Sequence, residues 1–337
     1  MSFSYLDMFF FLISKIFFNL ESYDILISRY LLYEYKKVLE TMIFNTYKPW
    51  KFAFSQETDN IEEATENSWG IIGVPFDSTS SYGPGSRFGP TTVREASYSF
   101  EKYNISFGSE VNKRFYDFGN INVVYGNCMK TLKILEETVE ELVDKGIKPI
   151  IIGGEHSISL SPIKALSKKY PTENITVITL DAHMDLIDEY QGEKCSHATV
   201  MKRIFDLNPK EIIEIGIRSS SLEEKEFVEN QNNIAIFTTK DTKENFEAIQ
   251  EKIKSIDRGD PIYLSIDIDV LDPLYVPEVG NPIPNGISPD ILEKIIEILA
   301  KKNVIGFDLV EVATNKLGDS TSVTGAKIVY DFLSLIE

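Results

Sequence analysis

The stretch ITVITLDAHMD (175–185) is an unbroken apolar run that ends in three ionisable residues. PIYLSIDID (261–269) has the same form, and IKPIIIGG (147–154) and VIGFDLVEV (304–312) are further continuous apolar runs. Apolar runs without polar alternation are typical of strands that are buried on both faces. They predict the central strands of a parallel sheet.

Helical patterns separate these strands along the chain. MKTLKILEETVEELVDKG (129–146) has apolar residues at helical spacing and a glycine at its end, and PDILEKIIEILAKK (289–302) is a second helical segment. Strands that alternate with helices indicate an α/β fold, in which helices cover both faces of a parallel sheet. We predict one catalytic domain over residues 65–337, because neither a repeat nor a low-complexity linker interrupts the pattern.

Residues 1–64 are interpreted as an N-terminal extension and lead-in. The apolar run at 8–18 is shorter than the roughly 20 residues that span a bilayer, and it lacks the early positive charge and cleavage site of a signal peptide. Residues 24–43 have the pattern of an amphipathic helix. Residues 1–41 are either an appended helix or the result of a start codon assigned upstream of Met42.

The net charge and the cysteine count indicate which binding partners and which cellular compartment to expect. The chain has 337 residues and a net charge of −18, so nucleic acid and anionic membranes are not expected partners. An acidic surface favours a cationic ligand, although solubility alone also explains it. Two cysteines, Cys128 and Cys195, exclude a disulfide framework and suit a reducing compartment, the cytoplasm, while leaving a single disulfide open.

Ionisable residues follow the predicted strand at 175–180. Asp181, His183 and Asp185 occupy alternate positions of an extended segment, so their side chains can converge on one spot. Three ionisable groups at the end of an apolar strand are costly to bury unless a cation compensates them. The spacing therefore indicates a metal site rather than a structural cluster.

Two further strand ends supply matching groups. Asp267 and Asp269 show the same alternate spacing, and His156 follows the strand at 147–152. Ligands of open α/β sheets bind at the carboxyl ends of the strands, where all these residues are expected. Two imidazoles and four carboxylates suit two metal ions better than one, and manganese better than zinc.

Two more residues are candidates for catalysis. His197 lies in the loop after the DAHMD cluster and can transfer a proton near neutral pH. Glu311 lies at the end of the predicted strand that begins at residue 304, and it can bind a guanidinium in bidentate fashion. Taken alone, each residue is better explained as a solvated or structural side chain.

Three ordered motifs, GGEHS (153–157), DAHMD (181–185) and SIDIDVLDP (265–273), resemble the signature motifs of the ureohydrolases, the family of arginases and agmatinases. The resemblance extends from about residue 69 to the C-terminus. It departs from the usual motif at Glu155, where the family usually has Asp. It implies a three-layer α/β/α sandwich with a mainly parallel sheet of eight strands, and a homotrimer or homohexamer.

The resemblance also implies a role for each site residue. Six ligands hold two manganese ions per subunit, with His156 and Asp185 on the first, His183 and Asp269 on the second, and Asp181 and Asp267 bridging both. Asp185 orients a hydroxide held between the ions, which attacks the guanidinium carbon and releases urea and an amine. His197 moves the proton, and Glu311 pairs with the guanidinium of the substrate.

Agmatine is the substrate that the loops favour, and its products are putrescine and urea, which places the enzyme in polyamine biosynthesis. The stretch LIDEYQGEKCS (186–196) lacks the Asn that arginases use for the amino-acid end, and it resembles agmatinases of bacilli and archaea. PEVGNPIPNG (277–286) is also agmatinase-like. We expect the acidic residues Asp188, Glu189 and Glu193 to face the substrate and to repel the carboxylate of arginine.

Other readings stay open. Arginase, guanidinobutyrase, aminopropylagmatine ureohydrolase and formimidoylglutamase share the motifs, because specificity lies in the loops. A non-catalytic binding or regulatory homologue normally loses metal ligands, and this chain retains all six positions. A metallophosphatase-like hydrolase requires more histidines than the three present.

Overall fold

The structure, a computed structural model, describes residues 46–47, 50–58, 60–111 and 114–336. The predictions made for residues 1–41, including the apolar run and the amphipathic helix, lie outside these residues. The division of the chain at residue 65 therefore stays a prediction.

Eleven strands are present in the described residues, numbered along the chain. They are β1 (Thr46–Tyr47), β2 (Trp69–Gly73), β3 (Tyr103–Asn104), β4 (Ser109–Glu110), β5 (Phe115–Ile121), β6 (Lys148–Ile152), β7 (Thr176–Leu180), β8 (Glu211–Ile217), β9 (Ile234–Thr238), β10 (Ile262–Asp267) and β11 (Val304–Val310). The main sheet has the order β1-β5-β2-β6-β11-β10-β7-β8-β9, and β3 pairs with β4 separately. Eight strands of the main sheet are parallel, which confirms the predicted eight-stranded parallel sheet. The two-residue β1 adds an antiparallel edge.

Helices cover both faces of this sheet. They are α1 (Gly89–Ser97), α2 (Cys128–Asp144), α3 (Leu160–Leu166), α4 (Val200–Phe205), α5 (Leu222–Glu229), α6 (Thr239–Glu244), α7 (Phe246–Ser255), α8 (Pro289–Leu299) and α9 (Ser320–Leu335). One core packs α1, α7, α8 and α9 on the first face, and a second core packs α2, α3 and α4 on the other. The three-layer α/β/α sandwich is confirmed.

The side chains of each central strand point alternately into the two cores. Leu264 and Ile266 of β10 belong to the first core and Tyr263 to the second, because successive side chains point to opposite faces. All three are fully buried, which explains why the sequence of this strand is almost continuously apolar. No helix of the described residues is long and apolar enough to cross a membrane.

Polar side chains fix where the helices begin. The Asn127 side chain accepts a hydrogen bond from the Lys130 N–H at the start of α2, and Asp319 accepts from Thr321 and Ser322 at the start of α9. Such caps satisfy N–H groups that have no partner within the helix.

A disulfide joins the first residue of α2 to the loop after β7. Cys128 and Cys195 are bonded, with their Cα atoms 6.1 Å apart. The single bond that the cysteine count left open is therefore present, two residues before His197.

Candidate metal centre and substrate cavity

The site lies at the carboxyl ends of four neighbouring strands. These are β6, β11, β10 and β7, adjacent in that order at the centre of the sheet. Asp181 directly follows β7, Glu311 directly follows β11, and Asp267 is the last residue of β10. His156 begins a short 3-10 turn after β6. Parallel strands bring their carboxyl ends to one edge, so residues far apart in sequence meet here.

His156 faces three carboxylates. Its Nδ1 lies 3.0 Å from Asp181 Oδ2, 3.1 Å from Asp185 Oδ2 and 3.6 Å from Asp267 Oδ2. The histidine and Asp181 are almost completely buried. Donor atoms of His156, Asp181 and Asp267 are close enough together to hold one metal ion.

A second group adjoins the first. His183 Nδ1 lies 3.1 Å from Asp269 Oδ2 and 3.6 Å from Asp181 Oδ1. Asp181, His183 and Asp269 together form a second set of donors with metal-binding spacing. Asp181 belongs to both sets, as expected of a bridging ligand, whereas Asp267 belongs to the first set alone and Asp185 to neither.

Local backbone structure holds the carboxylates in place. Asp181 Oδ1 accepts the N–H of His183 at 2.7 Å, and Asp267 Oδ1 accepts the N–H of Asp269 at 2.8 Å. These bonds between alternate residues turn the chain just after each strand. Asp185 has a φ of +52°, and its carbonyl accepts the N–H of Met201 at the start of α4. The left-handed conformation, unusual for a non-glycine residue, directs the Asp185 carboxylate toward His156.

The donors fit divalent metal ions. His156 Nδ1 and Asp181 Oδ2 are buried and make no hydrogen bond to the described residues, although they are 3.0 Å apart. Burial raises the pKa of Asp185 to about 6 and, together with the charges of Asp269 and Asp181, raises the pKa of Asp267 well above its usual value. Carboxylates in such surroundings need a positive partner in order to stay ionised. Oxygen donors with two imidazoles form a set that manganese accepts readily.

Two further residues lie within hydrogen-bond distance of the histidines of the cluster. Neither of them was identified from the sequence. Ser265 Oγ lies 3.0 Å from His156 Nε2, and Asn281 Nδ2 lies 3.1 Å from His183 Nε2. Ser265 precedes Asp267 by two residues in a strand, so the alternation that identified Asp267 also places Ser265 on the same face. Asn281 had no comparable signal.

His197 lies beside the cluster with its ring held by hydroxyl groups. Its Nε2 is 3.2 Å from Ser81 Oγ, its Nδ1 is 3.2 Å from Ser196 Oγ, and the Tyr190 ring packs edge-on at 5.6 Å. Burial lowers the pKa of His197 to about 4. The ring is therefore neutral at pH 7 and can accept a proton.

Glu311 reaches the same place from β11. Its backbone φ is +64°, and its Oε1 accepts the backbone N–H of His156 at 2.9 Å. Burial, reinforced by the charge of Glu155, raises the pKa of Glu311 to about 8. A cationic group bound next to Glu311 favours the ionised carboxylate.

A cavity of about 200 Å³ opens onto these residues. His183 and His197 line it together with five carboxylates, which belong to Asp185, Glu224, Asp267, Asp269 and Glu311. Among the described residues that line the cavity, none is Lys or Arg. The lining is therefore complementary to a small cation.

The expectation that Asp188, Glu189 and Glu193 face the substrate is wrong. None of them lines the cavity. Asp188 forms ion pairs with Arg203 and, at 3.4 Å, with Lys194, while Glu189 and Glu193 are exposed. The arginine that neutralises Asp188 comes from α4, 15 positions along the chain, so the stretch 186–196 alone did not show the pairing.

The fold and the donor set place the protein in the class of α/β proteins with candidate metal-binding residues at the carboxyl end of a parallel sheet. A model of the arginase family matches residues 67–334. An uncharacterized 32.2 kDa protein of Methanothermus fervidus is 45% identical over 288 residues, which cover 85% of this chain and 99% of that protein. An agmatinase of Bacillus anthracis is 39% identical over 269 residues, 78% of this chain and 90% of the relative.

The solved structures agree with the sequences. The crystal structure of an agmatine ureohydrolase of Thermoplasma volcanium has a TM-score of 0.75 and 31% identity, and the match covers 86% of this chain and 94% of that one. The chain belongs to the arginase family, the ureohydrolases.

Proposed function

We propose that the protein hydrolyses the guanidinium group of agmatine to putrescine and urea, with two manganese ions per subunit. The observation that carries the proposal is the cavity beside His197, where Glu224 and Glu311 remain for the substrate once the three aspartates are assigned to the metal ions, and where no described lining residue is Lys or Arg. Agmatine is a dication at neutral pH. Arginine adds a carboxylate, for which this lining offers no cationic partner.

Each residue has a part in this reaction. Glu311 binds the guanidinium, since a carboxylate matches its paired N–H groups. The metal ions would be held by His156, His183 and the four neighbouring aspartates, Asp181, Asp185, Asp267 and Asp269. When bound, they would polarise the substrate and lower the pKa of water. His197 accepts a proton that the attacking water gives up and passes it to the departing amine as the C–N bond breaks. The water supplies the oxygen of urea, so the overall reaction consumes one water molecule.

Glu224 is the group proposed for the far end of the substrate. It is the cavity carboxylate that belongs neither to the predicted metal ligands nor to the guanidinium site, and it is almost fully buried. A buried carboxylate attracts the second ammonium group of agmatine more strongly than an exposed one. It takes over the role first expected of the acidic loop.

The relatives support the amidine chemistry, and the alternatives lie within the same family. Arginase, guanidinobutyrase, aminopropylagmatine ureohydrolase and formimidoylglutamase differ from agmatinase in the far end of the substrate. A non-catalytic homologue is disfavoured, because all six predicted ligand positions carry donors that meet at one place. We further propose a cytoplasmic homotrimer or homohexamer without a nucleic-acid or membrane partner.

A urea-release assay with added manganese tests the proposal. The panel contains agmatine, arginine, guanidinobutyrate, aminopropylagmatine and formimidoylglutamate, the last followed through formamide release. We expect the highest kcat/KM with agmatine. A higher kcat/KM with another compound identifies that compound as the substrate instead of agmatine. If none of the compounds gives a product, the ureohydrolase activity is refuted.

A further inference from the structure

One loop, residues 77–81, holds His197 at two points. The backbone N–H of His197 donates to Thr79 Oγ1 at 3.1 Å. Two residues further on, Ser81 Oγ lies 3.2 Å from His197 Nε2. The loop therefore fixes both the backbone of His197 and the orientation of its ring.

Thr79 is held in turn by a buried carboxylate. Its N–H donates to Glu155 Oε2 at 2.7 Å, and its Oγ1 donates to Glu155 Oε1 at 2.5 Å. A hydroxyl has one hydrogen, and here that hydrogen goes to Glu155. The lone pairs of Thr79 Oγ1 are then available for the N–H of His197. Ser157 Oγ also donates to Glu155 Oε1, at 2.6 Å, and helps to hold the carboxylate.

The same carboxylate belongs to the neighbour of a metal-binding residue. Glu155 is fully buried and directly precedes His156, whose ring faces Asp181 and Asp185. The Glu155–Thr79–His197 chain of hydrogen bonds thus runs from the residue that directly precedes His156 to the proton-transferring histidine. The usual family residue at position 155, aspartate, is one methylene shorter.

We propose that Glu155 and Thr79 are positioning residues, which set the place of His197 relative to the metal cluster. The proposal rests on the proposed function in one respect, namely that His197 transfers a proton in the reaction. A displacement of about 1 Å in such a group can cost about a hundredfold in rate. The loss of this chain of hydrogen bonds therefore acts on kcat and leaves substrate binding unchanged.

Two Thr79 variants separate positioning from simple packing. Thr79→Val keeps the shape of the side chain and the backbone bond to Glu155, but its side chain neither donates to Glu155 nor accepts from His197. Thr79→Ser keeps both side-chain bonds. Thr138→Val is the matched control, since Thr138 is a buried threonine on α2 whose hydroxyl donates to the Ile134 carbonyl at 2.8 Å. Glu155→Gln perturbs the other end of the chain of hydrogen bonds and serves as the second variant if Thr79→Val does not fold.

The measurements are kcat, KM, bound manganese and the rate at which diethyl pyrocarbonate modifies His197. The chain has three histidines, so mass spectrometry of the peptide after Lys194 follows His197 alone. In Thr79→Val we expect kcat to fall about tenfold or more, with KM within about twofold of the parent. We also expect unchanged manganese content and faster modification of His197. Thr79→Ser and Thr138→Val should behave like the parent.

Three results overturn the proposal: an unchanged kcat and modification rate in Thr79→Val, an equal loss in Thr79→Ser, or a fall in kcat that follows a loss of manganese. If the parent releases no product from any guanidino or formimidoyl compound, the proposed function fails. The modification rates of the parent and of Thr79→Val then decide the positioning role by themselves, because they do not depend on turnover.

Discussion

Ser265 Oγ lies 3.0 Å from His156 Nε2, on the side of the imidazole ring opposite the carboxylates. Ser265 donates its own hydrogen to Asp308 Oδ1 at 2.6 Å, and the Tyr263 hydroxyl donates to the other oxygen of Asp308 at 2.5 Å. Ser265 therefore accepts a hydrogen from Nε2. In the neutral ring, Nδ1 then carries the lone pair that a metal ion requires.

We expect Ser265→Ala to weaken manganese binding by about tenfold to a hundredfold, because the ring of His156 loses the bond that fixes its tautomer. Isothermal titration of manganese into the metal-free protein measures the effect. Thr179→Val is the control: Thr179 is the register partner of Ser265 on β7, is fully buried, and has no hydrogen-bond partner among the described residues. Equal affinities in the parent and Ser265→Ala exclude this role of Ser265.

The two donor sets share Asp181 but not Asp267, which predicts different metal losses. We expect Asp181→Asn to lose both ions and Asp267→Asn chiefly one, as measured by plasma mass spectrometry after desalting. Asp272→Asn is the control within the same motif, because Asp272 accepts the N–H groups of Leu274 and Gly286 in a turn.

Chelation should abolish activity, and manganese should restore it better than zinc. Full activity after complete chelation contradicts the metal mechanism.

Manganese binding should weaken as the pH falls. Burial opposes protonation of the histidines, but Asp181 and Asp269 raise the pKa of His183 to about 12, and Asp181 and Asp185 raise the pKa of His156 well above its usual value. Without metal, both rings therefore hold a second proton more tightly than a free imidazole does, and a metal ion must displace it. Calorimetry in two buffers of different ionisation enthalpy should show net proton release as the ions bind, to which the raised pKa of Asp267 contributes together with the imidazoles. Zero proton release shows that the imidazoles are already neutral.

The clustering of the predicted metal ligands could be inferred from the sequence, because strand periodicity and fold topology together determine where their side chains meet. Alternate spacing in 181–185 and 267–269 put the side chains on common faces, and the parallel sheet brought the strand ends together. Ser265 obeys the same alternation, but a single serine carries too little signal against the many that are only structural. The φ values of Asp185 and Glu311, which aim their carboxylates, have no counterpart in the pattern.

The residues around the cavity were less predictable, because loops supply them. Thr79 approaches His197 from 118 positions away, and Glu224 enters the cavity from the first turn of α5. The acidic stretch 186–196 was interpreted from its charge alone. That interpretation failed because the structure decides which acids are paired, and Asp188 is paired with Arg203.

Glu224→Gln should lower the preference for agmatine over arginine. In the parent we expect a kcat/KM ratio of about a hundredfold, which corresponds to roughly 2.7 kcal/mol. The variant should lose most of this ratio through a higher KM for agmatine, because the far ammonium group loses its carboxylate.

Glu224 also caps α5 by accepting the N–H and hydroxyl of Ser221, so the substitution needs a control for the cap. Asp241→Asn provides it, because Asp241 forms the same capping box with Thr238 at α6 and does not line the cavity. If Glu224→Gln and Asp241→Asn leave the substrate ratio equally unchanged, the role of Glu224 is structural, in the helix cap and in the hydrogen bond that it accepts from the Leu186 N–H.

The last prediction concerns the disulfide between Cys128 and Cys195. The bond closes a loop with a sequence separation of 67 residues, which restricts the unfolded chain. We expect Cys128→Ser/Cys195→Ser to lower the free energy of unfolding by about 2–4 kcal/mol, measured by urea denaturation. The parent in strong reductant should match the double variant, and reductant should leave the variant unchanged.

The state of the two cysteines also bears on the cellular compartment of the protein. Reducing compartments keep most cysteines as thiols, so a cytoplasmic protein has this bond only if the folded structure protects it. Cys128 is buried and Cys195 half-buried, which limits access by small reductants. Thiol titration of the protein unfolded without reductant should therefore find no free thiols. Two free thiols show that the cysteines are unpaired, in which case hydrogen bonds such as those from the Ser196 N–H to Thr199 Oγ1 and from the His197 N–H to Thr79 Oγ1 hold this loop without the covalent link.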